Sequence, residues 1–284
     1  MVASNGAVLD VRFDPKGNIR PWDRTLWIKV VRGYLSEGDR ITVRFGDRSH
    51  GSPGMWLQTF CEDSFEFRVL VDPIATFNFQ PLPDQPQIEV VPGPPERWVA
   101  VIPTLRAVGE PFALRLKGED RWGNPSDRCD VELTVAVEGP IEGAPATVRL
   151  RPGERAVEVA GLVGTGEGEA FVTLTAPDGT RCRTNPIRLE IRPAFRHFWG
   201  DLHGQSEETI GNNSAESYFR FARDLAFVDA CAHQGNDFQM TLGFWAELNR
   251  LTAAFDEADR FVVLPGYEGS GNTALGGDRN VFFP

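Results

Sequence analysis

Asp201, His203 and Gln205 lie two apart in the run Trp199-Gly200-Asp201-Leu202-His203-Gly204-Gln205. In an extended strand alternate side chains point the same way, so these three share one face and Leu202 takes the other. Polar groups converging at a strand end can orient a metal or a water. Alone the run is a weak signal, with a hydrogen-bonded structural histidine as its plainer reading. His233 comes after the apolar run Phe227 to Ala232, within His233-Gln234-Gly235-Asn236-Asp237. Glu268 stands a few residues after Phe261-Val262-Val263-Leu264. Each of the three sits at the carboxyl end of an expected strand, the edge where α/β folds build active sites. Three in succession favour a functional site.

The expected metal ligands are His203, His233, Glu268 and Asp278, with Asp201, Gln205 and Asp237 in catalytic roles. Histidine and carboxylate ligands without a local cysteine suit Zn, Mn or Fe better than Ca. Two such divalent ions would activate a water and clamp a phosphoryl or acyl oxygen, although the residue pattern does not set their number. Glu207 and Glu208 could extend the set, a solvated loop being the equal alternative. Gly269-Ser270-Gly271-Asn272-Thr273-Ala274 fits a dinucleotide-binding fingerprint after a strand. That motif must open a helix. Gly276-Gly277 breaks the chain and Asn280-Val281-Phe282-Phe283 reads as extended, so no nucleotide loop is expected.

The elements that must position these residues begin after Pro193. Phe195 to His203 reads as a strand, and Asn213 with Glu216 as a capping pair for a helix carrying Tyr218, Ala222 and Leu225 on one face. Phe227 to Ala232 is a buried strand. Phe244, Leu248, Leu251 and Phe255 mark one face of a second helix, and Phe261 to Leu264 a third strand. Strand and helix alternating in this way imply a parallel sheet or barrel. An α/β barrel runs to about 250 residues, far beyond the stretch after Pro193, so the segment reads as a fragment.

Residues 1 to about 190 read as β-structure. Thr25 to Val31, Ile41 to Phe45 and Phe65 to Val71 partly alternate apolar and polar residues between Gly, Asp and Pro. The Pro-rich stretches Pro81 to Pro86 and Pro92 to Pro95 place a boundary near 90. Six further strands, Phe112–Leu116, Val131–Val137, Ala146–Leu150, Ala156–Val159, Ala170–Leu174 and Ile187–Ile191, are spaced like a sandwich. Three domains are expected: 1–90 and 91–192 as immunoglobulin-like β-sandwiches, and 193–284 as an incomplete α/β domain. His50, beside Gly51 and Ser52, reads as a solvated loop residue.

Composition limits the function classes. The formal net charge of −11 opposes a nucleic-acid partner, because phosphate binding needs clustered Lys and Arg. No run approaches the roughly 20 apolar residues that span a bilayer. The start Met1-Val2-Ala3-Ser4-Asn5-Gly6 lacks a basic and apolar leader, so a cytoplasmic location and no membrane partner are expected. The four cysteines form no CxxC. Cys129 and Cys182 could face each other across a sandwich, but free thiols suit a cytosolic chain better.

Two resemblances extend this reading. Asp120-Arg121-Trp122-Gly123-Asn124-Pro125 resembles a turn of bacterial immunoglobulin-like repeats. The run Phe198 to Phe283 resembles the PHP (polymerase and histidinol phosphatase) superfamily, in its branch with β-sandwich domains before a distorted barrel. Trp199 to His203 looks like its opening strand and Tyr218 to Arg223 like its first helix. Phe227 to His233 looks like the strand ending in Asp-His, Pro265 to Glu268 like the strand with the bridging carboxylate, and Gly277 to Val281 like a segment carrying a histidine before Arg-Asn-Val. Gln205, Ala232 and Asp278 depart from that pattern. The resemblance implies phosphoester hydrolysis by metal-activated water, on a small-molecule or glycan-linked ester. Further ligands would come from later strands, so this chain alone would be inactive. The alternative is a non-catalytic glycan- or protein-binding β-sandwich protein with a degenerate barrel. The residues leave the oligomeric state open.

Overall fold

The computed structural model describes residues 1–18, 22–271 and 276–283. The chain divides into two compact units, one of residues 1–59 with 66–87 and one of residues 60–65 with 88–284.

The first unit is built of short antiparallel pairs. Strand β1 (Val2–Ala3) pairs with β4 (Ile41–Thr42), and β2 (Val8–Asp14) with β3 (Thr25–Arg32). Next along the chain come β5 (Glu62–Glu66), β6 (Leu70–Val71), β7 (Gln80–Pro81) and β8 (Gln87–Val90). Of these, β6 pairs with β7 inside the first unit, while β5 pairs with β8 largely within the second. The expected strand over 41–45 stops at Thr42, and that over 65–71 is split between β5 and β6. Gly46 takes a left-handed φ of 71° just beyond the first of these. Such a residue turns the chain out of a ladder. Only β2–β3 is long. Its register sets Leu9, Val11 and Phe13 opposite Val30, Ile28 and Leu26, and on the other face Asp10 and Arg12 opposite Lys29 and Trp27. Ala3 is the one buried residue among those described in this unit. The sandwich expected here is therefore a set of two-stranded sheets.

The second unit is dominated by a sandwich. One sheet has the order β13 (Ile141–Glu142), β15 (Val157–Gly164), β11 (Pro111–Glu119), β9 (Arg97–Val101). The other runs β10 (Leu105–Ala107), β18 (Ile187–Glu190), β16 (Gly168–Thr175), β12 (Val131–Glu138), β14 (Thr147–Leu150), with β17 (Arg181–Arg183) also on β16. Inward residues Leu114, Leu116, Leu133, Leu150, Leu162, Leu174, Ile187 and Leu189 are buried together. Each contributes about 1.5–3 kcal/mol of transfer free energy. The strand runs expected between 112 and 191 are present. All four cysteines are free thiols.

The 120–125 turn closes on Asp120, whose carboxylate accepts hydrogen bonds from the backbone N–H groups of Gly93, Trp122 and Asn124 and from the Asn124 amide. Burial raises its pKa, yet these donors outweigh burial and hold it below the usual aspartate value.

The last segment carries β19 (Gly200–Gly204), α1 (Ala215–Asp224), β20 (Ala230–His233), α2 (Leu242–Phe255) and β21 (Val262–Val263). The three strands form one parallel sheet in the order β19-β20-β21. The expected distorted barrel is absent among the described residues. After β21 the chain turns into an antiparallel hairpin, β22 (Gly266–Gly269) with β23 (Arg279–Phe282). Phe219, Ala222, Leu248, Leu251, Phe255, Phe261 and Val263 form the core beneath the helices. The predicted face of α2 is buried apart from Phe244, whereas α1 buries Ala215 and Phe219 where Tyr218 and Leu225 were expected.

The helix start also moves by one residue. Ser214 caps α1, its side chain accepting from Ser217 N–H, and Asn213 instead takes a φ of 60°. Asparagine tolerates that left-handed conformation, and its Oδ1 accepts from Asp63 N–H at 2.7 Å. One buried charge ties this segment to the sandwich. Lys117 on β11 donates to Leu225 O, just past the end of α1, at 2.7 Å and pairs with Glu119 at 2.9 Å. A cation there complements the negative end of the helix dipole.

Candidate functional site

Strands β19 and β20 and the β22–β23 hairpin bring the expected residues close together, but into two separate networks. The first surrounds His233, the last residue of β20 and almost fully buried. Its Nδ1 accepts from Gly235 N–H at 3.2 Å. The neutral ring therefore carries its proton on Nε2, which lies 2.7 Å from Ser206 Oγ and donates to it. Tyr218 and Phe244 meet the ring edge-on at centroid distances of 6.2 and 5.5 Å. Burial pulls its pKa down to about 4, against a small opposing pull from the Glu208 charge.

The second network centres on Glu268 of β22, 5% exposed. Its Oε2 accepts from Gln205 Nε2 and from Asn236 Nδ2, both at 2.9 Å. Thr209 Oγ1 donates to Gln205 Oε1 and so fixes that amide. The other carboxylate oxygen, Oε1, faces His203 Nε2 at 3.9 Å. Asn280 Nδ2 donates to Leu202 O, which turns its Oδ1 toward His203 Nδ1 at 2.8 Å. The neutral His203 ring then carries its proton on Nδ1 and presents a lone pair at Nε2. Two acceptors facing each other can share a donor or a cation between them.

The remaining expected residues stand elsewhere. Asp201 is exposed, its carboxylate accepting from His203 N–H. Asp237 and Arg279 line an open cleft of about 450 Å³ with Gly269, Ser270, Gly271, Gly276 and Gly277. Asp278 is exposed just before β23. Glu208 accepts from Ala215 N–H and stabilises the start of α1. Glu207 is exposed in the same loop. The Asn272-Thr273-Ala274 part of the dinucleotide-like run lies outside the described residues, and Gly269 ends a strand of the hairpin.

A metal centre built on His203, His233 and Glu268 does not fit this arrangement. A ligating imidazole must offer a lone pair; the one on His233 Nδ1 already takes a backbone N–H, and Nε2 is a donor. Among the described residues no three His, Cys, Asp or Glu side chains are grouped so as to hold an ion. Sequence reading missed Ser206, Asn236 and Asn280, which decide the geometry. Short polar residues beside a histidine carry no signature until the fold joins them.

No protein-family model matches the chain. It is 22% identical over 266 residues to an uncharacterized protein of Chlamydia pneumoniae, covering 87% of this chain and 41% of that one. An uncharacterized Chlamydia muridarum protein is 22% identical over 241 residues, covering 82% and 38%. The chain thus spans about two-fifths of the length of these relatives. Two solved structures share little: the ZirS C-terminal domain, at 17% identity and TM-score 0.26, covering 56% of this chain and 99% of its own, and the CARDB domain of a Pyrococcus furiosus protein, at 11% and 0.22, covering 34% and 95%. With no family model matching and no grouped ligands among the described residues, the resemblance to the PHP superfamily is corrected.

Proposed function

We propose that the chain is a non-catalytic binding protein whose β-structure displays contact surface for a protein partner, with the α/β segment as a support. The observation that carries this is the engagement of both His233 ring nitrogens by Gly235 and Ser206, which removes the histidine a shared metal would need. Contact surface is plentiful in the first unit. Met55, Trp56 and Leu57 are consecutive and 44%, 88% and 55% exposed. Exposed aromatic and Met side chains beside aliphatic ones are the composition of protein interfaces.

A second display stands at the 72–77 loop. Asp72 accepts from the N–H groups of Ile74 and Phe77 and from the Thr76 hydroxyl. These donors hold Ala75 and Phe77 at φ 54° and 60°, with Ile74 and Phe77 more than three-quarters exposed. Strained backbone held in this way presents side chains rigidly.

The test is affinity capture with the 284-residue chain against the Trp56→Ser, Phe77→Ser double variant, beside a phosphatase and phosphodiesterase panel with Zn or Mn added. A partner retained by the parent and lost by the double variant, with no turnover, is the expected result. Metal-dependent turnover abolished by His203→Ala would overturn the proposal.

Metal-activated phosphoester hydrolysis remains a second reading, favoured by one observation: His203 Nε2 and Glu268 Oε1 face each other at 3.9 Å. It would require a divalent cation, Zn, Mn or Fe, held by these two residues.

A further inference from the structure

The β2–β3 hairpin is amphipathic. One face carries three apolar cross-strand pairs, Leu9–Val30, Val11–Ile28 and Phe13–Leu26. None of the six is buried; Phe13 is 63% exposed and Val11 42%. Among the described residues β3 pairs with β2 alone, so its outer edge is unpaired along Thr25–Arg32. No proline lies within either strand. An isolated two-stranded hairpin is marginal in water, and an unblocked edge is a template for a further strand.

We propose that the occupant of this edge is β3 of a second copy of the chain, paired antiparallel across a two-fold axis at Ile28. That register is self-complementary. It sets Leu26 opposite Val30 of the other copy, Ile28 opposite itself, and Trp27 opposite Lys29. The apolar face of each hairpin then continues into its twin, making a four-stranded sheet of order β2-β3-β3-β2. On the reverse face each ammonium lies opposite an indole, an attractive pairing. The one like-charge approach, Arg32 toward Arg24 of the other copy, falls past the strand's start at Thr25, where both side chains are exposed to solvent. Shifting the axis to Lys29 would put two ammonium groups face to face, which is unfavourable.

Charge balance points to the same place. The unit of residues 1–59 and 66–87 carries ten Lys and Arg against nine Asp and Glu, within a chain of formal charge −11. Two copies therefore repel least when they meet through this unit. An isologous contact of this kind closes on itself and stops at the dimer. This inference goes beyond the partner-binding reading, which uses Trp56 and Phe77, and either can fail without the other.

The experiment is sedimentation equilibrium of the 284-residue chain, followed by Ile28→Lys. The parent is expected as a dimer, with the dissociation constant raised about tenfold or more in the variant. Mild oxidation of Ile28→Cys should give a reducible covalent dimer, while Phe13→Cys, on the distal strand, should not. If Ile28→Lys fails to fold, the two cysteine variants decide. A monomeric parent, a dimer indifferent to Ile28→Lys, or equal cross-linking by both cysteines would overturn the inference.

Discussion

At the level of single residues, His233 fixes what the α/β segment can do. Its folded pKa of about 4 lies below the ordinary histidine value because burial disfavours the imidazolium. The sign comes from proton binding: between pH 6.5 and 4 the unfolded chain holds a proton at this site that the folded chain lacks. Stability must therefore fall as pH drops through that window, by about 3 kcal/mol at most. Denaturant unfolding at pH 7 and pH 4.5 should show this loss, and His233→Asn should abolish most of the difference. An unchanged slope in the variant would contradict the assignment. Gly204 is equally constrained, since a Cβ there would enter the Tyr218 ring. Gly204→Ala should lose about 3 kcal/mol of stability, because overpacked sites adjust poorly. Wild-type unfolding behaviour in that variant would count against the packing described.

Among the elements, the sandwich strands were legible because period-2 apolar patterning reports burial directly. The α2 face was legible for the same reason at helical period. Less could be read where a local choice depends on distant atoms. Asn213 looks like a cap in sequence, but it turns left-handed to meet Asp63, and Ser214 takes over. Of the expected ligand positions only His233 ends its strand; His203 lies inside β19 and Glu268 inside β22 of the antiparallel hairpin. Hydrogen bonds with Gly235, Ser206, Gln205 and Asn236, none of which has a sequence signature, divide the three into two networks. Lys117 is the element-scale link that can be tested. Lys117→Met removes its bond to Leu225 O and leaves Glu119 with Arg97 alone. Thermal unfolding should report a loss of about 2 kcal/mol, and no loss would show that the clamp is idle.

For the molecule as a whole, the contrast lies between a unit with one buried residue among those described and a sandwich with a continuous core. Opening free energy scales with buried apolar contact. In the monomeric Ile28→Lys variant, amides of β2 and β3 should therefore exchange with solvent far faster than those of β11, β12 and β16, as measured by hydrogen exchange with mass spectrometry. Equal protection would mean that the first unit is stabilised by more than its own packing. No helix among the described residues is long and apolar enough to cross a membrane. The most direct test of the central claim, that His203, His233 and Glu268 do not share a cation, is long-range ¹H–¹⁵N NMR of the imidazoles during Zn titration. The account predicts a neutral His233 protonated on Nε2 whose nitrogen shifts stay fixed as Zn is added. Parallel movement of the His203 and His233 nitrogens to metal-bound values would contradict it.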